Sequence, residues 1–199
     1  MNITTPKGKA IYPRINEPDT KFNVDGVYSA KIHVSEGDYK AFKAQLDKWF
    51  AVEYKRLCDE SNGKKLRLSA TSPLSITEDG DYQIFAKQVA RKQTKKGELT
   101  FTIPIFDSKG AKMNDAPNIG SGSILKLAVE PFAWFSPTVG AGYTLRLKAA
   151  QVIELCEYGD KTTDNFGFSS EAQGYVSSGE SFNQAFTDDQ DDDNVAVPF

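Results

Sequence analysis

The chain has 199 residues, 39% of them hydrophobic and 26% charged, with a formal net charge of −3, which is enough apolar material for one packed core with an appendage. It has no run of about eighteen apolar residues, and its start, Met1-Asn2-Ile3-Thr4-Thr5-Pro6, shows neither a basic cluster nor an apolar stretch, so the expectation is a protein that stays in a cytoplasm and enters no membrane. The charge is split by position: residues 1–159 carry 23 Lys and Arg against 18 Asp and Glu, whereas residues 160–199 carry Lys161 against nine acids.

In chain order, Lys7 to Arg14 and Phe22 to Val34 read as the first strands, with Tyr28, Ala30, Ile32 and Val34 alternating against Ser29, Lys31 and His33. Tyr39, Phe42, Leu46 and Trp49, then Phe50, Tyr54 and Leu57, recur at steps of three and four and predict one amphipathic helix. Ser35, three residues before Asp38, starts it, and Asn62-Gly63 stops it. Its aromatic stripe reads as core packing that plugs one end of a barrel. Tyr82 to Arg91 and Leu99 to Phe106 flank the polar connector Lys92–Glu98, which predicts a hairpin with a long basic loop and with Leu99, Phe101, Ile103 and Ile105 facing inward. Ser123 to Phe135 and Tyr143 to Leu155 form a second hairpin, with Leu125, Leu127 and Val129 facing Leu145, Leu147 and Ala149. Lys126, Phe132, Trp134, Arg146 and Lys148 fall on the opposite faces. From about Asp160 the chain turns to Gly, Ser, Asn, Gln and Asp with isolated Phe or Tyr, a composition that cannot build a core. The expected division is a folded domain over residues 1–159 and a flexible acidic tail over residues 160–199.

A basic body suggests a polyanionic partner, and an acidic appendage suggests a competitor for the same surface or a lure for basic proteins. Lys87, Arg91, Lys92, Lys95 and Lys96 form the densest positive patch, with no acid among them, and Tyr82, Phe85 and Phe106 adjoin it. Cations that track a flexible backbone beside aromatic rings that stack on bases suit single-stranded nucleic acid, although a solvated hairpin tip has the same composition. Lys64, Lys65 and Arg67 form a second basic set. Arg14, Lys31, Lys126, Arg146 and Lys148 add further cations, and Tyr12 and Trp134 are the outward aromatic candidates, each with a core-packing alternative. His33 is the single histidine, and Cys58 and Cys156 fit no metal or redox pattern, so no His-based metal site, no catalytic triad and no cofactor are expected. A nuclease using Asp79, Asp81, Asp107 and Asp115, and a protein-interaction module or DNA mimic, are the rival readings.

The terminal stretch is the most specific signal. Asp188, Asp189, Asp191, Asp192 and Asp193 precede an apolar tip ending in Pro198 and Phe199. With the segment Thr144–Leu155, this resembles the single-stranded-DNA-binding proteins of phages over nearly the full chain. The resemblance implies a mainly β fold: an OB-fold-like Greek-key barrel with one amphipathic helix and a disordered acidic C-terminal tail. It implies a non-enzymatic protein that binds single-stranded DNA with little sequence preference in replication, recombination and repair, in the cytoplasm of an infected bacterial host. It further implies that these five aspartates, Pro198 and Phe199 recruit a polymerase, helicase-primase or nuclease. The oligomeric state is left open, with a homodimer among the alternatives. A standard OB barrel carries its helix between the third and fourth strands. Here either residues 7–34 supply three strands through a bend, or pairing is relocated after Leu66.

Overall fold

Alternation of apolar and polar residues becomes the inside and outside of a barrel in the computed structural model, which describes residues 2–95 and 97–157. The chain runs through β1 (Ile3–Thr4), β2 (Gly8–Asp19) and β3 (Val27–Val34), then the helix α1 (Glu36–Glu60). After it come β4 (Leu74–Ile76), β5 (Tyr82–Val89), β6 (Arg91–Thr94), β7 (Gly97–Thr100), β8 (Ile105–Phe106), β9 (Lys112–Met113), β10 (Ile124–Ser136) and β11 (Gly140–Glu154). The five longest strands close on themselves: β10 pairs with β2, β2 with β3, β3 with β5, β5 with β11, and β11 with β10. Only the β5–β11 contact in this circuit is parallel. This is an OB-type barrel whose strands one to five are β2, β3, β5, β10 and β11. The helix therefore lies between the second and third barrel strands, so pairing is relocated to after Leu66 rather than three strands being drawn from residues 7–34.

Ala10, Ala30, Ile32, Ile84, Ala86, Leu125, Leu127, Val129, Leu145 and Leu147 fill the interior and are almost wholly shielded from solvent. The β10–β11 register shifts at two places, between Ile124 and Leu125 and between Ala128 and Val129. Ala128 faces Ala149, but the next residue, Val129, faces Leu147, so β11 carries one extra residue at Lys148. The bulge moves the inward set by one, and Ala150 and Val152 enter the core where Ala149 had been expected. The first predicted hairpin also differs. Arg91–Thr94 and Gly97–Thr100 form a separate two-stranded ribbon, β6–β7, in place of a long loop. Phe101 is half-buried and Ile103 and Ile105 are buried, as expected, but Leu99 sits on the free ribbon and is 50% exposed.

Ser35 caps α1, its hydroxyl oxygen accepting from the Asp38 backbone N–H at 3.2 Å. The helix ends at Asn62 and Gly63, both at positive φ. Ion pairs Glu36–Lys40, Lys43–Asp47 and Arg56 with Glu53 and Glu60 occupy its solvent side. Tyr39, Phe42 and Leu46 enter the main core, and Phe50 and Trp49 meet Tyr143 at ring-centroid distances of 5.0 and 6.0 Å. The helix thus closes the barrel end where β3 finishes and β5 begins. Its last turns pack Leu57 with Leu66, Ala133 and Ala141, and the Tyr54 hydroxyl donates to the Leu66 carbonyl.

Candidate nucleic-acid interface

Because side chains alternate, the residues that flank the buried Ala30–Ala86 and Ile32–Ile84 pairs must point outward. The register sets them in rows across the barrel. Arg14 lies opposite Ser29, Ser29 opposite Lys87, Lys87 opposite Arg146, and Arg146 opposite Glu130. A second row joins Ile11, Lys31 and Phe85. Strands lie about 4.8 Å apart, so Arg14, Lys31, Lys87 and Arg146 form a cationic band roughly 15 Å wide over four strands. Phe132 is exposed at its edge with the Arg146 guanidinium 3.6 Å from the ring centroid, an arrangement that fixes a flat, positively charged platform.

The band crosses the second and third barrel strands between Arg14 on the first and Arg146 on the fifth, and strands two and three form the face through which OB folds take oligonucleotides together with the loops after strands one and four. The first of those loops, residues 20–26, is shaped by its own acids and amides. The Lys21 N–H donates to the Asp19 carboxylate at 2.8 Å and the Asp25 N–H to the Asn23 side-chain oxygen at 3.0 Å. This holds Phe22 and Val24 in solvent, 89% and 87% exposed, with the Lys21 ammonium 5.4 Å from the Phe22 ring centre. The β6–β7 ribbon is anchored beside the loop, since the Ala90 and Arg91 N–H groups donate to the Gly26 and Asp25 carbonyls. Arg91, Lys92 and Lys95 are exposed along it, and Lys96 lies outside the described residues. The second loop, residues 137–139, is braced by the Arg67 guanidinium, which donates to the Thr138 and Val139 carbonyls. Arg67 therefore has a structural task, unlike the free cations with which the sequence groups it.

A family model described as "Single-stranded DNA-binding protein, Bacteriophage T7" matches residues 7–155, which run from the start of β2 to just beyond β11. The chain belongs to this T7 single-stranded DNA-binding protein family. Similar proteins include the single-stranded DNA-binding protein of Escherichia phage T7, 37% identical over 105 residues, or 51% of this chain and 44% of the relative. That of Enterobacteria phage T3 is 31% identical over 124 residues, or 60% of this chain and 53% of the relative. The chain spans about half the length of these relatives. Their names record binding, in keeping with the expectation of a non-enzymatic protein. The crystal structure of gp2.5, a single-stranded DNA-binding protein encoded by bacteriophage T7, superposes with a TM-score of 0.71 at 26% identity, covering 89% of this chain and 99% of that one. The single-stranded DNA-binding protein of bacteriophage Enc34, solved in complex with ssDNA, shares the fold, with a TM-score of 0.58 at 12% identity over 79% of this chain and 89% of that one.

Measured against the family barrel, the sequence-derived residues fall into separate groups. Arg14, Lys31, Phe85, Lys87 and Arg146 come together on the band, and Arg91, Lys92 and Lys95 extend it along the ribbon. Tyr12 stands at its β2 edge, 79% exposed. Tyr82 is turned away from it: its ring packs on Tyr39 at 5.0 Å, its hydroxyl hydrogen-bonds Glu36, and burial pushes its pKa up. Trp134 is half-buried over Gly142, whose missing side chain makes room for the indole, and its Nε1 is buried without a hydrogen-bond partner. Lys126 and Phe106 line a hollow with Thr4 and Gln151, apart from the band, and Lys148 pairs with Glu130 at 3.4 Å. Of the aspartates of the nuclease reading, Asp107 holds a turn, accepting from the Lys109 and Ala111 N–H groups, and Asp81 pairs with His33 at 3.4 Å. Among the described residues no group of three His, Cys, Asp or Glu is placed to hold a metal. The tail residues Asp188 to Asp193, Pro198 and Phe199 lie outside the described residues. Phe22 is the residue that sequence reasoning missed. Its signal is an aromatic residue set inside the turn chemistry of Asp19, Asn23 and Asp25, where no core periodicity accounts for it.

Proposed function

We propose that this chain binds and protects single-stranded DNA with little sequence preference, during phage replication, recombination and repair in the cytoplasm of an infected bacterium. The cationic band Arg14–Lys31–Lys87–Arg146, bordered by Phe85 and Phe132 on the nucleotide-binding face of an OB barrel, carries this reading. Phosphates would lie along the band and bases would stack on the rings, a mode that needs no base-edge recognition. Family membership supports the same conclusion. The acidic tail recruits a polymerase, helicase-primase or nuclease, with Phe199 as its apolar anchor. Anisotropy titrations of the whole chain against a labelled single strand and its duplex test the first part, and equal affinity for both would refute it. Removing Phe199 alone tests the second. Capture of replication enzymes from infected-cell extract should then be lost while DNA affinity is kept, and unchanged capture would refute the recruiting role.

A further inference from the structure

Beyond the band, one place in the barrel is built as though to hold a single flat ligand. At the register shift between Ile11 and Arg14, Tyr12 adopts φ 43°, in the left-handed region that side-chain-bearing residues rarely enter, and it does so directly before Pro13. The strain is held by a clamp from a distant part of the same chain. The Tyr12 N–H donates to the Ser121 hydroxyl at 2.8 Å, and the loop bearing Ser121 is tied to β2 by paired Ala10–Ser123 and Gly122–Ala10 backbone bonds. Strain maintained in this way is a device for aiming a side chain. The ring it aims stands in solvent over a hollow of about 260 Å³ between β2 and the segment before β10. Below the hollow, Asn16 is fully committed, donating to the Ala116 and Pro117 carbonyls and accepting from the Ile119 N–H, so it fixes the floor. Arg14, Glu17 and Asn118 supply the polar rim.

We propose that this hollow is a nucleobase seat at the end of the DNA track, in which one base stacks on Tyr12 and presents its edge to Glu17 and Asn118. The inference rests on the single-stranded-DNA reading above. Arg14 belongs both to the cationic band and to the rim, so a strand crossing the band arrives at the seat with a phosphate at Arg14. The hollow is below the roughly 300–1,000 Å³ of drug-sized pockets, which fits a fragment as small as one base. The Glu17 carboxylate disfavours a phosphate inside and accepts hydrogen bonds only, so it favours bases with an exocyclic amino group, cytosine, adenine or guanine, over thymine, whose single donor, N3–H, lies between two carbonyl oxygens that a carboxylate repels.

The test uses the full chain with labelled oligo-dC and oligo-dT of equal length, at one salt concentration, with melting curves for each variant. Tyr12→Ala should lose about 5- to 150-fold in affinity, the range of one base–aromatic stack, whereas Tyr12→Phe should stay within about twofold. Glu17→Ala should tighten binding to oligo-dT by removing a negative charge, yet erase a preference for dC over dT of about fivefold, the size of one net hydrogen bond. Wild-type protein that binds DNA while Tyr12→Ala changes affinity less than twofold overturns the seat and leaves the binding function standing. An unchanged dC-to-dT ratio in Glu17→Ala overturns the edge contact, a readout that loss of folding cannot imitate because it is a ratio within one variant. Absence of DNA binding by the wild-type chain refutes the function itself and the seat with it.

Discussion

Replacing Lys31 and Lys87 together with Ala isolates the electrostatic work of the cationic band. Both side chains point outward, on β3 and β5, and the ion pairs of the described residues lie elsewhere, on α1, at Asp81–His33 and at Glu130–Lys148. Folding should therefore be little affected, within the roughly ±0.5 kcal/mol typical of surface substitutions. Each phosphate neutralised on a single strand contributes about −0.7 to the slope of log affinity against log salt. Four band cations contribute about −2.8 to that slope, and losing two should flatten it by about 1.4. Between 50 and 200 mM salt the affinity ratio of wild type to variant should then shrink roughly sevenfold. Anisotropy titrations of oligo-dT across that range read both numbers. Parallel log–log lines for the two proteins would show that these lysines do not meet phosphates, and the band would lose its role.

Replacing Lys92 and Lys95 with Ala on the ribbon should weaken binding and flatten the salt slope without moving the melting temperature, because β6–β7 lies outside the closed sheet; a lowered melting temperature would contradict that separation. Gly142→Ala should destabilise the fold by about 1–3 kcal/mol, since a Cβ there would lie 2.8 Å from the Trp134 ring, and an unchanged denaturation midpoint would refute the tight packing. Burial pushes the Tyr143 hydroxyl up to about 12, above the usual tyrosine value of 10.0. Its neutral form is favoured by folding, so its contribution is fully present below pH 10 and is lost as pH rises towards about 12. Tyr143→Phe should show a shallower fall in melting temperature across that window, and identical falls would exclude the effect.

The helix was legible because Tyr39, Phe42 and Leu46 must share a face and Ser35 and Asn62-Gly63 carry their own end signals. The β10–β11 hairpin was legible for the equivalent reason at period two. What escaped the sequence were places where an extra residue or a free edge changes the count. Nothing local marks the bulge at Lys148, so Ala149 was assigned inside in place of Ala150. Leu99 has a strand-like neighbourhood but no opposing sheet, because its ribbon leaves the barrel. Of the interface, Lys87 and the ribbon cations were visible as a cluster, whereas the row uniting Arg14, Lys87 and Arg146 exists only through pairings distant in sequence. Tyr82 reads as a stacking ring from the sequence because period two cannot tell a face open to solvent from one covered by a helix.

The parallel seam of the barrel places Lys87 directly beside Arg146, two like charges at the contact that joins β5 to β11. Like charges on neighbouring strands repel, so this pair works against the seam it sits on. A phosphate lying across the pair would exchange that repulsion for a shared attraction, making the ligand a structural member of the seam. Amide exchange along β5 and β11 should consequently slow more on adding DNA than exchange along the β2–β3 pair.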